Sequence, residues 1–309
     1  MAEVWKAIVS SKSGGGKAAK AWTSIASMLQ SKGIQFSEAF TDHRFHALEL
    51  ASEAVLAGFR KIIAIGGDGA IHEILNGIMS QDVVPSNEVT LAIIPVGSGN
   101  DWARLHNIPF NHEKAVEAIA ADREVIQDIA KVDSVMDGKP YSRYMINIGG
   151  LGIDAQVCHD FEIAKSSSDK GDASYLKCLV NGFINFKNPV CKVVADGELF
   201  YEGEAMSVAL GIGKYCGGGM MQTPGAVFDD GLIDVTVVPG ISKLKFARNL
   251  PRLYKGTVYE AKEISHTRAK TLEISAEPAS FVEVDGESVG TSPITVSVIP
   301  AAIKVITNI

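Results

Sequence analysis

The segment Lys61-Ile-Ile-Ala-Ile-Gly-Gly-Asp-Gly69 constrains this chain more than any other. A near-continuous apolar run ending at glycines is the pattern of a parallel strand covered on both faces and closed by a tight loop. Helical spacing over Ala70–Met79 follows and completes a strand-loop-helix unit. The same alternation places strands at Lys6–Ser10, Ile34–Phe40 and Val89–Ile94, with helices at Lys17–Lys32 and Ala47–Gly58. It predicts an α/β domain over residues 1–127, an open parallel sheet with its strand-end loops gathered on one ligand-binding edge.

From residue 128 to 309 the rhythm changes. Asp137-Gly138, Asp196-Gly197 and Asp285-Gly286 each interrupt alternating or β-branched runs, the strongest short hairpin signal. Strands at Val190–Ala195, Met206–Ile212, Leu232–Val238, Leu272–Ala276 and Phe281–Val284 make this half antiparallel and β-rich. Helical insertions are expected near 154–166, 174–186 and 242–255, and the last residues can return to pack on the first domain.

A chain of 309 residues has room for two such domains, each with a core. Its net charge of −7 argues against a uniformly basic nucleic-acid surface. No run approaches the ~18 apolar residues of a membrane span, and the opening residues read as a strand, so a cytoplasmic protein is expected. Cys158, Cys178, Cys191 and Cys216 form no Cys-x-x-Cys pair and read as reduced thiols.

Three loops carry the chemistry. In Gly66-Gly67-Asp68-Gly69 the glycines let backbone approach a phosphate, the helix N-terminus supplies N–H groups, and Asp68 suits a Mg²⁺. The bland alternative is a tight turn with a capping aspartate. Pro95-Val-Gly-Ser-Gly-Asn-Asp101 repeats the design at a neighbouring strand end, with Asp101 as N-cap as its alternative. Ser11-Lys-Ser-Gly-Gly-Gly-Lys17 fails the Walker A pattern, since Ser11 replaces the first glycine and Ala18 the Ser/Thr, yet its backbone can wrap phosphate. Gly150-Leu-Gly-Ile-Asp-Ala155 matches a dinucleotide fingerprint, but no βαβ unit follows it and it is set aside.

Together these features resemble the diacylglycerol kinase catalytic family, in its single-module bacterial form related to sphingosine kinases. The marks are Gly66-Gly-Asp-Gly69 with Glu73 and Asn76-Gly77, Pro95-x-Gly-x-x-Asn-Asp-x-Ala-Arg104, and Gly150-x-Gly-x-Asp-Ala155. Gly217-Gly-Gly with Pro224-x-Ala226, Asp229-Asp-Gly-Leu232 and Val284-Asp-Gly-Glu287 complete them in the family's order. The resemblance implies a nucleotide-binding α/β domain of the kind shared with NAD kinases, a β-sandwich-like domain after it, and an active site in the cleft between them. It also implies ATP and Mg²⁺ as cofactors and a lipid alcohol as acceptor, with diacylglycerol giving phosphatidic acid as the first candidate.

On this reading Ser11, Gly14, Gly66, Gly67, Asp68, Gly69, Gly97, Ser98 and Asn100 hold the nucleotide. Asp68, Asp101 and Asp128 form a Mg²⁺–water network, and Glu287 is the base that takes the lipid hydroxyl's proton. Asp-Gly-Glu also occurs at 196–198, and only the resemblance selects the second copy. Asp230, with the carbonyls of Val227 and Leu232, resembles a structural Mg²⁺ site, a solvated turn being its alternative.

Departures from the family pattern are Ala70 and His72 in place of Thr and Asn, Ser98 in place of Thr, and Ser10-Ser11 in place of Asn-Pro. A hydroxyl lost at 70 removes a hydrogen bond of ~0.5–1.5 kcal/mol, which weakens an enzyme without abolishing it. His72 is expected on the helix surface near the nucleotide.

The stretch 242–256 carries Lys243, Lys245, Arg248, Arg252 and Lys255 without an acidic residue, beside Leu244, Ala247, Leu250 and Tyr254 at helical spacing. It can lie on an anionic membrane as a peripheral contact, or pack its apolar face on the core and solvate the basic one, the second being the expectation preferred. A homodimer is compatible with the sequence. Rival readings are an NAD kinase-like phosphotransferase and a catalytically weak lipid-binding relative.

Overall fold

The computed structural model describes residues 4–167, 182 and 185–309. They form two compact units, one of Met1–Ile129 with Gly217–Gly219 and Pro300–Ile309, the other of Ala130–Cys216 with Met220–Ile299. The first unit thus runs past the expected boundary at 127 and takes in a glycine loop that the sequence placed in the second half.

The first unit alternates β1 (Trp5–Val9), α1 (Ser13–Ser31), β2 (Phe36–Phe40), α2 (His46–Leu56), β3 (Lys61–Gly66), α3 (Asp68–Met79), β4 (Thr90–Pro95), α4 (Asp101–Leu105) and α5 (His112–Ala120). Strands β2, β1, β3 and β4 lie parallel in that order. The end of the chain adds a fifth parallel strand, with Lys304 opposite Thr90 and Val305 opposite Leu91. Ile62, Ile63, Ala64 and Ile65 of β3 and Leu91–Ile94 of β4 are buried, as continuous apolar runs require. Gly14, Gly15 and Gly16 hold left-handed φ values of 59°, 70° and 85°. A chain in that conformation is a loop, so regular helix begins after Gly16.

Two marks of the sequence belong to packing. A side chain at Gly77 would begin 2.2 Å from the Leu48 carbonyl oxygen, so the glycine is what lets α3 lie against α2. Glu73 turns the same way. Its carboxylate accepts the backbone N–H groups of Phe45 (3.3 Å) and Ala47 (3.1 Å) and so closes the N-terminus of α2. Gly77→Ala is expected to destabilise the protein by ~1–3 kcal/mol, read as a lower urea midpoint, because backbone rather than a movable side chain occupies the space.

The second unit is antiparallel. The three Asp-Gly pairs turn where the sequence placed them, between β5 (Glu124–Met136) and β6 (Lys139–Met145), between β8 (Val190–Ala195) and β9 (Glu198–Gly211), and between β10 (Phe281–Val284) and β11 (Glu287–Ile306). Every residue of the three turns has positive φ, from 49° at Asp196 to 86° at Gly286. That is the two-residue turn whose twist matches hairpin strands. Asp196 also accepts N–H groups from Lys270 and Thr271, and Asp285 those of Ile146 and Asn147, so each turn clips a neighbouring segment. Residues such as Val193, Val208, Leu210, Val235, Leu272 and Ile274 fill the core. A helix (α6, Ile153–Ser167) follows β7 (Ile148–Gly152). The helix expected at 174–186, with Cys178, lies largely outside the described residues.

The basic stretch is helical over Lys243–Lys255, capped by Ser242, which accepts the Lys245 N–H, and ended by left-handed Gly256. The apolar face expected on the core is not covered: Leu244 is 65% exposed, Tyr254 58% and Leu250 38%, Lys245, Arg248 and Lys255 are exposed as well, and Phe246, Asn249, Arg252 and Leu253 are half-buried. No helix among the described residues is long and apolar enough to cross a membrane.

Candidate active site

Two loops in the first unit meet with no room for side chains. A side chain at Gly97 would begin 2.6 Å from the Gly67 Cα, and one at Gly67 2.9 Å from the Gly97 Cα. Gly14 lies equally close, 2.4 Å by the same measure from the Val96 carbonyl oxygen. The glycines expected to admit phosphate therefore first admit one another, which brings three strand-end loops to one place. Ser98 is exposed at the tip of its loop and Gly69 lies in the first turn of α3. Asn100 folds the loop it sits in: it is left-handed (φ 54°), accepts the Gly97 N–H and donates to the Gly97 carbonyl, both at 2.9 Å. Ser11 gives its N–H to the Thr41 hydroxyl at 3.0 Å, a partner the sequence did not suggest.

Asp68 and Asp101 are brought together around Gly99. A side chain there would begin 3.0 Å from Asp68 Oδ2 and 3.2 Å from Asp101 Oδ2. Asp68 Oδ1 accepts the Trp102 N–H at 2.9 Å, and Asp101 Oδ2 accepts the Gly218 N–H at 2.8 Å. The Gly217–Gly219 loop is thus part of the same site. Asp101 Oδ1 is buried without a hydrogen-bond partner among the described residues, 3.7 Å from Arg104 Nε. Two adjacent carboxylates, one offering an unsatisfied oxygen, are the hard donor set a Mg²⁺ takes, so these residues fit the ion. Behind them, Gln127 accepts from the Trp102 indole (3.1 Å) and lies 2.8 Å from His106 Nε2, fixing α4. Burial holds His106 down at about 4, so at neutral pH it is an uncharged strut. Sequence reading missed all three, since indole, amide and imidazole meet only in three dimensions.

Asp128 Oδ1 accepts the N–H of Ala301 at 2.7 Å and anchors the returning C-terminal segment. His72 corrects an expectation: it is 1% exposed inside α3, and its carbonyl accepts from the Asn76 side chain at 2.9 Å. The helix is covered nearly all round, so a polar residue on it does not reach the surface.

In the second unit Glu287 opens β11 directly after the Asp285-Gly286 turn. Beside it Glu283, buried, accepts the Gly286 N–H at 2.8 Å. Burial pushes its carboxyl up to about 8, with the charges of Asp154, Asp285 and Glu287 adding to the effect. Glu198, in the other Asp-Gly-Glu, is exposed at a strand end. The folded-state value of Glu283 lies above the unfolded one. The stability it contributes is complete below the ordinary carboxylate range and is lost as pH climbs towards 8. Glu283→Gln, which copies the protonated form, is expected to flatten the fall in melting temperature between about pH 5 and pH 8.

The expected structural Mg²⁺ site does not fit. Asp230 Oδ1 accepts the N–H of Leu232 at 3.1 Å, and Oδ2 pairs with the Arg268 guanidinium, which also reaches Asp234 at 3.1 Å. A cation there would have to displace an arginine.

Two family models match in succession: the diacylglycerol kinase catalytic domain over residues 5–132 and the YegS C-terminal NAD kinase beta sandwich-like domain over residues 148–307. The chain belongs to the family in which a diacylglycerol kinase catalytic domain is followed by a YegS C-terminal NAD kinase beta sandwich-like domain. A protein named diacylglycerol kinase from Mycobacterium tuberculosis (strain ATCC 25618 / H37Rv) is 27% identical over 97% of this chain and 94% of its own. A "Probable lipid kinase YegS-like" protein of Xanthomonas euvesicatoria pv. vesicatoria is 28% identical over 89% and 88%. A solved structure of a candidate diacylglycerol kinase from Bacillus anthracis str. Sterne superposes with a TM-score of 0.78, at 26% identity, over 99% of this chain and 95% of that one.

Within the diacylglycerol kinase frame two departures of this chain meet in space. The Ala70 methyl sits 2.7 Å, and Ser10 Cβ 3.2 Å, from where a Gly66 side chain would begin. The Ser13 hydroxyl donates to that of Ser10 at 2.9 Å and lies at the same glycine. The hydroxyl missing at 70 thus faces a pair of serine hydroxyls across Gly66.

Proposed function

We propose that this protein transfers the γ-phosphoryl group of ATP to the hydroxyl of a lipid alcohol, with diacylglycerol as the first candidate acceptor. The observation that carries the reading is the junction of glycine loops around Asp68 and Asp101. Phosphoryl transfer needs positioning and charge neutralisation more than covalent chemistry, and such a junction offers both. The names of the relatives, diacylglycerol kinase and lipid kinase, agree with it.

The loops at 14–16, 66–69 and 97–99 cradle the ATP phosphates through backbone N–H groups. Asp68 and Asp101 hold the Mg²⁺, which when bound neutralises phosphate charge that builds during transfer. Trp102 and Gly218 fix the two carboxylates by their N–H groups. The acceptor oxygen attacks the γ-phosphorus, the bond from that phosphorus to the β–γ bridging oxygen breaks, and ADP leaves. The hydroxyl proton passes to the Glu287 carboxylate. No protein side chain is phosphorylated on the way.

The test is transfer of radiolabelled γ-phosphate from ATP to a panel of lipid alcohols in mixed micelles, and to NAD. Label in a lipid phosphate is the expected result. Label on NAD assigns the chain to the NAD kinase chemistry instead, and no label from folded, ATP-binding protein identifies a relative without catalysis.

A further inference from the structure

We infer that the helix Lys243–Lys255 docks the protein on an anionic bilayer surface. At 100° per residue, Leu250, Tyr254, Ala247, Pro251 and Leu244 follow one another around one side of the helix, and all five are exposed. Leu244 and Tyr254 are 65% and 58% exposed, which leaves an apolar stripe uncovered by the described residues. Soluble surfaces seldom carry such a stripe without an occupant. The stripe is bordered on its Leu244 side by Arg248 and Lys255, both exposed. Lys245 and Arg252, also expected at a membrane, turn elsewhere, pairing with Glu263 and with Glu260 (3.3 Å) of their own unit. The whole stretch 242–256 contains no acidic residue in a chain of net charge −7. An outward apolar stripe with a cationic edge on an acidic protein is complementary to anionic headgroups over acyl chains.

The inference supplies the proposed kinase with a route to its acceptor and rests on that reading for its purpose, while its test is binding alone. Sedimentation with vesicles of phosphatidylcholine, with and without phosphatidylglycerol, is measured at low and high salt. Wild type is expected to sediment with the anionic vesicles, less as salt rises. Arg248→Gln with Lys255→Gln is expected to lower partitioning about 30-fold, and Leu244→Asp with Tyr254→Asp to abolish it. Both double variants should keep the wild-type melting temperature and the wild-type rate on a water-soluble short-chain acceptor.

Wild type that ignores anionic vesicles, or variants that bind as wild type does, overturns the inference. So does a dimer in ultracentrifugation that Leu244→Asp with Tyr254→Asp dissociates, which would make a second copy the occupant. Normal vesicle binding by a protein that phosphorylates no lipid would stand against the kinase reading and leave the docking face in place.

Discussion

Asp101→Asn is expected to lower phosphoryl transfer by at least about 10²–10³-fold with the fold intact. The substitution conserves shape, and the amide oxygen can still accept the Gly218 N–H that Asp101 Oδ2 accepts at 2.8 Å. What disappears is the negative charge on the buried Oδ1, which has no hydrogen-bond partner of its own. Its ion-pair partner Arg104 lies 3.7 Å away, beyond hydrogen-bond distance, and is partly exposed, so losing the charge costs little stability. The variant should therefore melt near the wild-type temperature while turning over far more slowly, and ATP should bind it with a weaker dependence on Mg²⁺. A purely structural Asp101 would give the opposite pair of results, lower stability and near-normal turnover. Steady-state kinetics and thermal melts on the same samples separate the two.

Glu287→Gln is expected to cost about 10²–10⁴-fold in kcat, the usual range for removing a positioned base. Glu198→Gln, in the exposed copy of the same tripeptide, should leave the rate unchanged. The comparison isolates the chemistry, because both glutamates follow an Asp-Gly turn whose aspartate clips neighbouring backbone. Equal effects, or none at either site, would remove Glu287 from the mechanism.

Much of the fold was legible because it is local. Gly66-Gly67-Asp68-Gly69 ends an apolar run, and each Asp-Gly pair turns a hairpin by its own backbone preference. The candidate site was legible only as separate loops. Nothing along the chain tells that Gly67 touches Gly97, or that Gly218 reaches Asp101 across 117 residues. Asp128 shows the same limit: Ala301, its partner, lies 173 residues away, so its carboxylate could be read only by resemblance. The arginine that pairs with Asp230 likewise comes from 38 residues further along the chain. Periodicity fell short differently at two helices. It identified Lys243–Lys255 as two-faced without saying which face is covered, and it left His72 on a surface that α3 does not have, since Ala70, Ile71, Ile74, Leu75, Asn76, Gly77 and Ile78 are all buried with it.

The measurement that bears most directly on the central claim is transfer of labelled γ-phosphate to diacylglycerol by wild type, Asp101→Asn and Glu287→Gln side by side, each shown to be folded. Labelled lipid phosphate from wild type alone is the predicted result. Labelled lipid from either variant at the wild-type rate would contradict it, because the carboxylates joined by the glycine loops, or the base after the last hairpin turn, would then not be carrying the reaction.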